Sequence, residues 1–159
     1  MNVRTRAEDA HEQKLLDDIA QYGWHCVGIL SEDEDGPYSF SVGLFQTFGH
    51  PELVIFGLTS EVAHQILSIA VTAIRSGQPL DLTQPTDALL EGYACRFVDV
   101  PKSEYYEHLG FARWYYRGDS FPACQVVYPS RGGHFPWDPE APQTFKKFQP
   151  VLGQSASRP

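Results

Sequence analysis

Seven residues, ELVIFGL from Glu52 to Leu58, constrain the fold more than any other stretch of the chain. Leu53, Val54, Ile55 and Phe56 are apolar without a break. Successive side chains on an extended chain point to opposite faces, so this strand sends apolar groups both ways. It cannot stand at a water-facing edge and belongs in the middle of a sheet, covered on both sides.

The neighbouring segments supply partners for it. YSFSVGL (38–44) alternates, with Tyr38, Phe40, Val42 and Leu44 on one face and Ser39, Ser41 and Gly43 on the other. WHCVGIL (24–30) precedes it across the acidic run SEDEDG (31–36), and the two runs read as an antiparallel hairpin. GYACRFVDV (92–100) and PACQVVYP (122–129) read as further strands. Thr5 and Glu8 have capping-box spacing ahead of Leu15, Leu16, Ile19 and Tyr22, which predicts a helix over about residues 6–22, ended by Gly23. Thr59 or Ser60 caps a second helix, whose stripe is Val62, Ile66, Ile69, Ala70 and Ala73 and whose stop is Gly77 with Pro79. Ser103 caps a third, carrying Tyr105, Leu109, Ala112 and Tyr116 past an internal Gly110. LDLTQPTDALLEG (80–92) and SRGGHFPWDPEAP (130–142) read as loops.

Long helices do not separate every strand pair, so a doubly wound parallel sheet is disfavoured. The reading is one α+β domain over residues 1–159. Its centre is a mainly antiparallel sheet, or a small split-barrel-like barrel, of about five or six strands with about three flanking helices. Residues 1–4 and 153–159 are expected to fray.

Charge removes several classes of function. The net charge is −8, from 20 acidic and 12 basic residues, and Lys146-Lys147 is the only adjacent basic pair. A nucleic-acid partner is disfavoured, whereas a basic protein partner is permitted. SEDEDG reads as a solvated turn. Cys26, Cys95 and Cys124 are odd in number, widely spaced and placed in strand-like runs, which fits packed thiols in a reducing, cytoplasmic setting. No metal site is expected, because no second ligand stands at zinc spacing from His25, His64 or His108. No apolar run approaches membrane length, and the polar start MNVRTRAEDAHEQK lacks the apolar stretch of a leader. Nucleotide-binding glycine motifs and the G-x-S-x-G elbow are absent.

Two bends hold the candidate chemistry. At the first, Pro51 fixes its own backbone and extends His50, which places an imidazole and the Glu52 carboxylate at the mouth of the central strand. His50 and Glu52 are the candidate catalytic pair, as an acid–base imidazole and its orienting carboxylate. The competing structural account has Glu52 accepting hydrogen bonds from nearby loop N–H groups and His50 packing on Trp24 or Phe48. At the second bend, Arg131 and His134 can hold an anion and Trp137 can stack on a flat ligand, unless Phe135 and Trp137 simply plug the core. Gln125, on the last strand, needs a polar partner such as Ser41 or Glu52, or else lies on the solvent face.

YGWHCVGIL, YSFSVGL, FGHPELVIFGL, CQVVYPSRGGHFPWD and FQPVL together resemble the bacterial family called domain of unknown function 4262, over about Tyr22 to Leu152. The family pattern lands on Gly23, Trp24, Gly43, Leu44, Gly49, His50, Pro51, Glu52, Gly57, Gln125, Pro129, Gly133, Pro136 and Trp137. Ser41 stands where the family often has Thr, and Ser130 where it often has Asp. The resemblance implies no established activity. It does imply that polar family positions from separate segments, such as His50, Glu52 and Gln125, share a pocket; with Ser41, Arg131, His134 and Trp137, taken from the reading of the strand and the second bend, these are the candidate ligand-binding residues. The favoured expectation is a binding domain for a small polar or flat ligand, seated where the two bends face one another. A hydrolase- or transferase-like enzyme using His50 and Glu52, an acidic immunity-type interaction module, and a flavin-binding split barrel are the alternatives. The last rests on a likeness of residues 39–58 to flavin-reductase barrels, and no cofactor is otherwise evident.

Overall fold

The computed structural model describes residues 2–30 and 36–153. Most of the acidic run and the QSASRP tail therefore lie outside the described residues. Six strands form one open mixed sheet in the order β1-β2-β3-β6-β5-β4. They are β1 (His25–Ile29), β2 (Tyr38–Val42), β3 (Glu52–Phe56), β4 (Thr86–Leu90), β5 (Tyr93–Asp99) and β6 (Ala123–Val127). Every neighbouring pair is antiparallel except β3 and β6, which run parallel. The architecture is α+β, and the barrel alternative fails because β1 and β4 are free edges.

β3 sits centrally between β2 and β6, and all five of its residues are buried. Leu53 and Ile55 join Cys124, Val126 and Phe97 in a core under helix α3 (Ser60–Arg75). Val54 and Phe56 join Phe40, Val42 and Ala123 in a second core. That core is closed by Leu15 of α1 (Ala10–Tyr22), Tyr105 of α4 (Tyr105–His108), and Ala112, Tyr115 and Tyr116 of α5 (Gly110–Tyr116). Each such fully buried aliphatic side chain contributes about 1.5–3 kcal/mol. The double apolar face of ELVIFGL is thus satisfied by helices on both sides.

Several boundaries differ from the sequence reading, each for a local reason. α1 begins at Ala10 because Asp9, not Thr5, accepts the Glu12 N–H, while the Glu12 carboxylate accepts the Glu8 N–H. Arg4 is tied down rather than frayed, since its backbone and side-chain N–H groups donate to the Tyr115 and Trp114 carbonyls. α3 is capped by Thr59 as expected, but its inner stripe is Ala63, Ile66, Leu67, Ala70 and Val71, which leaves Val62 and Ile69 on the rim. β4 lies in a segment read as loop. It is a short edge strand of irregular register and carries little periodic signal. The third helix is a 3₁₀ turn (Lys102–Glu104) followed by α4 and α5, broken at Leu109. Two five- or six-residue helices, α2 (Leu44–Phe48) and α6 (Gln143–Phe148), went unread. α2 carries Leu44 away from the Tyr38, Phe40 and Val42 face into the other core. All three cysteines are free thiols. Among the described residues no helix is long and apolar enough to cross a membrane.

Candidate functional site

The parallel pairing of β3 with β6 decides whether the two bends meet. Glu52 lies beside Ala123 and Ile55 beside Val126, so the two strands start at one end of the sheet and finish at the other. His50 and Glu52 sit at the start of β3, while the 130–137 loop follows the finish of β6. Four strand steps at ~3.3 Å each separate those ends by about 13 Å. Phe135 confirms the loop's position, lying 5.5 Å from the guanidinium of Arg96, a residue paired with Val127 at the far end of β6. The pocket expected between the two bends therefore does not form.

At the near end, Glu52 is the centre of a buried hub. Its carboxylate accepts from the Ser41 hydroxyl (2.7 Å), from the N–H groups of Gly43, Leu44 and Phe45 (3.1–3.2 Å), and from the Tyr116 hydroxyl in a short hydrogen bond. The three N–H groups open α2, so the side chain immediately after a proline caps a helix that begins eight residues earlier. Burial pushes the Glu52 carboxyl above the ordinary carboxylate range, and the bonds from Tyr116, Ser41, Phe45 and Leu44 pull the other way. Burial and the Glu52 charge together raise the Tyr116 phenol. Ser41 is equally committed, since its oxygen also accepts the Leu53 N–H at 2.9 Å.

His50 stands beside the hub without joining it. Its Nδ1 donates to the Pro51 carbonyl at 2.8 Å, and no ion pair or hydrogen bond links it to Glu52. Burial pushes the imidazole below its ordinary value, against the opposing Pro51 bond. A histidine whose pKa is lowered in the folded state binds a proton more readily when unfolded. Its stabilisation is therefore full above the ordinary value of about 6.5 and drains away as pH falls through the folded value. Urea midpoints measured from about pH 7.5 down to pH 5 should decline more steeply for the wild type than for His50→Gln. Parallel profiles would contradict this assignment.

The remaining predicted residues serve elsewhere. Gln125 is fully buried and reaches neither Ser41 nor Glu52. Its amide donates to the Pro150 carbonyl (2.8 Å) and accepts the Leu152 N–H (2.9 Å), which fastens the C-terminal segment to the sheet. Gln149 does the same for Tyr128, through bonds of 3.0 and 2.9 Å to its N–H and carbonyl. Trp137 stacks on Phe135 at 5.0 Å with an angle of 4° between the ring planes. One of its two faces is thus already used within the loop. Arg131 is exposed. His134 pairs with Asp138 (2.9 Å) and lies 3.4 Å from Glu140 on a partly exposed turn. Its ring nitrogen and the two carboxylates come within 4.8 Å of one another, a convergence the sequence spacing did not suggest.

What the sequence reading missed lies along the free edge of β1. A cleft of about 560 Å³ runs between α1 and α3, lined by Lys14, Asp18 and Tyr22 from the first helix and His64, Ser68 and Arg75 from the other. Trp24 forms its floor, only 8% exposed, with the exposed His64 ring stacked on it at 5.6 Å and 16°. Asp18 binds Lys14 (2.9 Å) and the Nδ1 of His25 (2.7 Å). Burial works against the Asp18 charge, but these two partners more than offset it and hold the carboxyl below its usual range. His25 lines a neighbouring cavity of about 360 Å³ that shares Lys14 with the first. The only sequence signal was the pair Trp24-His25 ahead of a strand, because the other walls come from helix faces far apart in the chain.

Fold and site together define a small α+β domain with a cleft at a sheet edge and a buried acidic hub that shapes one end of the sheet. The chain belongs to the family described as Domain of unknown function (DUF4262), whose sequence model matches residues 18–142. No curated protein and no solved structure matches it.

Proposed function

We propose that the domain binds a small ligand that joins a flat ring to an anionic or carbonyl-bearing group, in the cleft between α1 and α3. The observation that carries this reading is the meeting of unlike groups in that one cleft. The His64 ring on Trp24 offers a stacking platform. The Arg75 guanidinium, 5.3 Å from the Phe48 ring, supplies positive charge at its rim in a chain of net charge −8, while Lys14 there is paired with Asp18. Ser68 and Thr72 add hydroxyls. Binding sites commonly combine apolar walls with a few fixed polar groups in this size range.

A thermal-shift screen of aromatic carboxylates, nucleotides and flavins tests it. A ligand at a hundred times its dissociation constant adds ~2.7 kcal/mol, which for a chain of this length raises the melting temperature by roughly 5–11 °C. His64 and Arg75 are exposed, so His64→Ala and Arg75→Ala should fold normally and lose most of that shift. A shift that survives both substitutions, or no shift from any compound, removes the proposal.

The His25–Asp18 pair favours a second reading, in which the edge cleft also catalyses a proton transfer. A carboxylate on Nδ1 fixes the imidazole tautomer and leaves the ring to act beside the cleft. His25→Gln would then retain ligand binding and abolish turnover of the bound ligand. Unchanged turnover removes this reading alone. The flavin alternative is not carried forward, because the split-barrel likeness that supported it ends with the open sheet.

A further inference from the structure

We propose that a second cleft, where α4 breaks into α5 against the β1–β2 hairpin, binds small organic cations of the quaternary-ammonium class. The cleft holds about 340 Å³, and five aromatic rings line it: Tyr38, Phe40, Tyr106, Phe111 and Trp114. Two carboxylates, Glu12 and Glu107, share the lining. An aromatic face carries the negative end of a ring quadrupole, so several rings around one space attract a cation without hydrogen bonds. The carboxylates add the matching charge.

Two of the five rings already hold cations of the chain itself, which shows that ring faces here attract positive charge but also occupies those two rings on one side. The Arg4 guanidinium lies 5.5 Å from the centre of the Trp114 ring, and that of Arg113 lies 5.3 Å from Tyr106. The ring-rich lining selects the kind of visitor. A small, tightly hydrated ion would have to exchange its water for ring faces, whereas a methylated ammonium is weakly hydrated and buries its methyl groups there. The shape of the opening follows from the sequence. Leu109, at φ −119° and ψ 42°, interrupts the helix, and Gly110 follows with no atom within 4 Å of where a Cβ would stand. Tyr106, 81% exposed, is the most accessible aromatic ring of the set and forms the outer wall.

Titration calorimetry with choline, set against its uncharged carbon isostere 3,3-dimethylbutan-1-ol, tests the proposal. Choline should bind saturably and the isostere about tenfold more weakly or worse. Tyr106→Ala and Glu107→Gln alter side chains that are 81% and 75% exposed, so both variants should melt with the wild type while binding choline about three- to tenfold more weakly. Equal affinity for the isostere would reveal an apolar cleft without cation selectivity and overturn the proposal. Absence of saturable choline binding, binding only of a lysine-rich peptide, or variants with undiminished affinity would overturn it as well. Neither substitution touches the α1–α3 cleft, so failure here leaves the first proposal standing.

Discussion

Glu52→Leu should lower folding stability by about 3–5 kcal/mol and the melting temperature by roughly 6–20 °C. The substitution nearly preserves size and adds apolar surface, so a simple burial argument would call it harmless. The hub says otherwise. Three backbone N–H groups and two hydroxyls converge on that carboxylate, and leucine offers none of them an acceptor. Each buried donor left unpaired costs about 1–3 kcal/mol, reduced where water can enter at the start of α2. Glu52→Gln should fall between wild type and Glu52→Leu, because one amide oxygen survives while an NH₂ faces a ring of donors. Thermal melts and urea titrations of the three proteins give the order directly. A leucine variant as stable as wild type would mean that α2 and Tyr116 do not depend on the carboxylate.

Gly57→Ala is expected to cost about 2–4 kcal/mol for a different reason. Gly57 follows β3 at φ +85°, where any other residue is strained. A Cβ there would lie 2.5 Å from the Tyr128 hydroxyl and 2.9 Å from the Phe148 carbonyl oxygen. That hydroxyl donates to the Phe56 carbonyl at 2.7 Å, so it cannot swing aside without losing a buried bond. Gly92→Ala provides the control, since Gly92 has φ +82° but open space around it. It should suffer the backbone penalty alone, about 1–2 kcal/mol. Equal losses at the two positions would show that crowding at Gly57 contributes nothing.

The elements that could be read from the sequence are those whose cause is local. ELVIFGL announces its double burial through four adjacent apolar residues, and the hairpin through the alternation of Tyr38, Phe40 and Val42. Thr59 announces α3 by standing one residue before it. The elements that could not be read depend on distant partners. α2 has only five residues and owes its first turn to Glu52, which follows it in the chain. β4 has no pattern of its own and exists by pairing with β5. The expected pocket failed on a single property that no local pattern carries, the direction of β6 relative to β3. An antiparallel β6 would have brought the 130–137 loop to His50, and the parallel one takes it to the far end. Glu52 is a candidate in the sequence as the orienting partner of His50, whereas in the structure it accepts the N–H groups of Gly43, Leu44 and Phe45, as the competing structural account has it. The α1–α3 cleft was illegible because its charged walls look, on paper, like the ordinary solvent faces of two helices.

The parallel seam also bears on how the protein is made. β1, β2 and β3 form one antiparallel meander, and β4, β5 and β6 form another. Emerging from the ribosome, the first meander presents β3 with nothing along its outer side until β6 arrives about 70 residues later. At common elongation rates that delay lasts roughly 4–14 s. Throughout it a strand with apolar groups on both faces keeps one edge unpaired, the kind of edge on which other strands can pair.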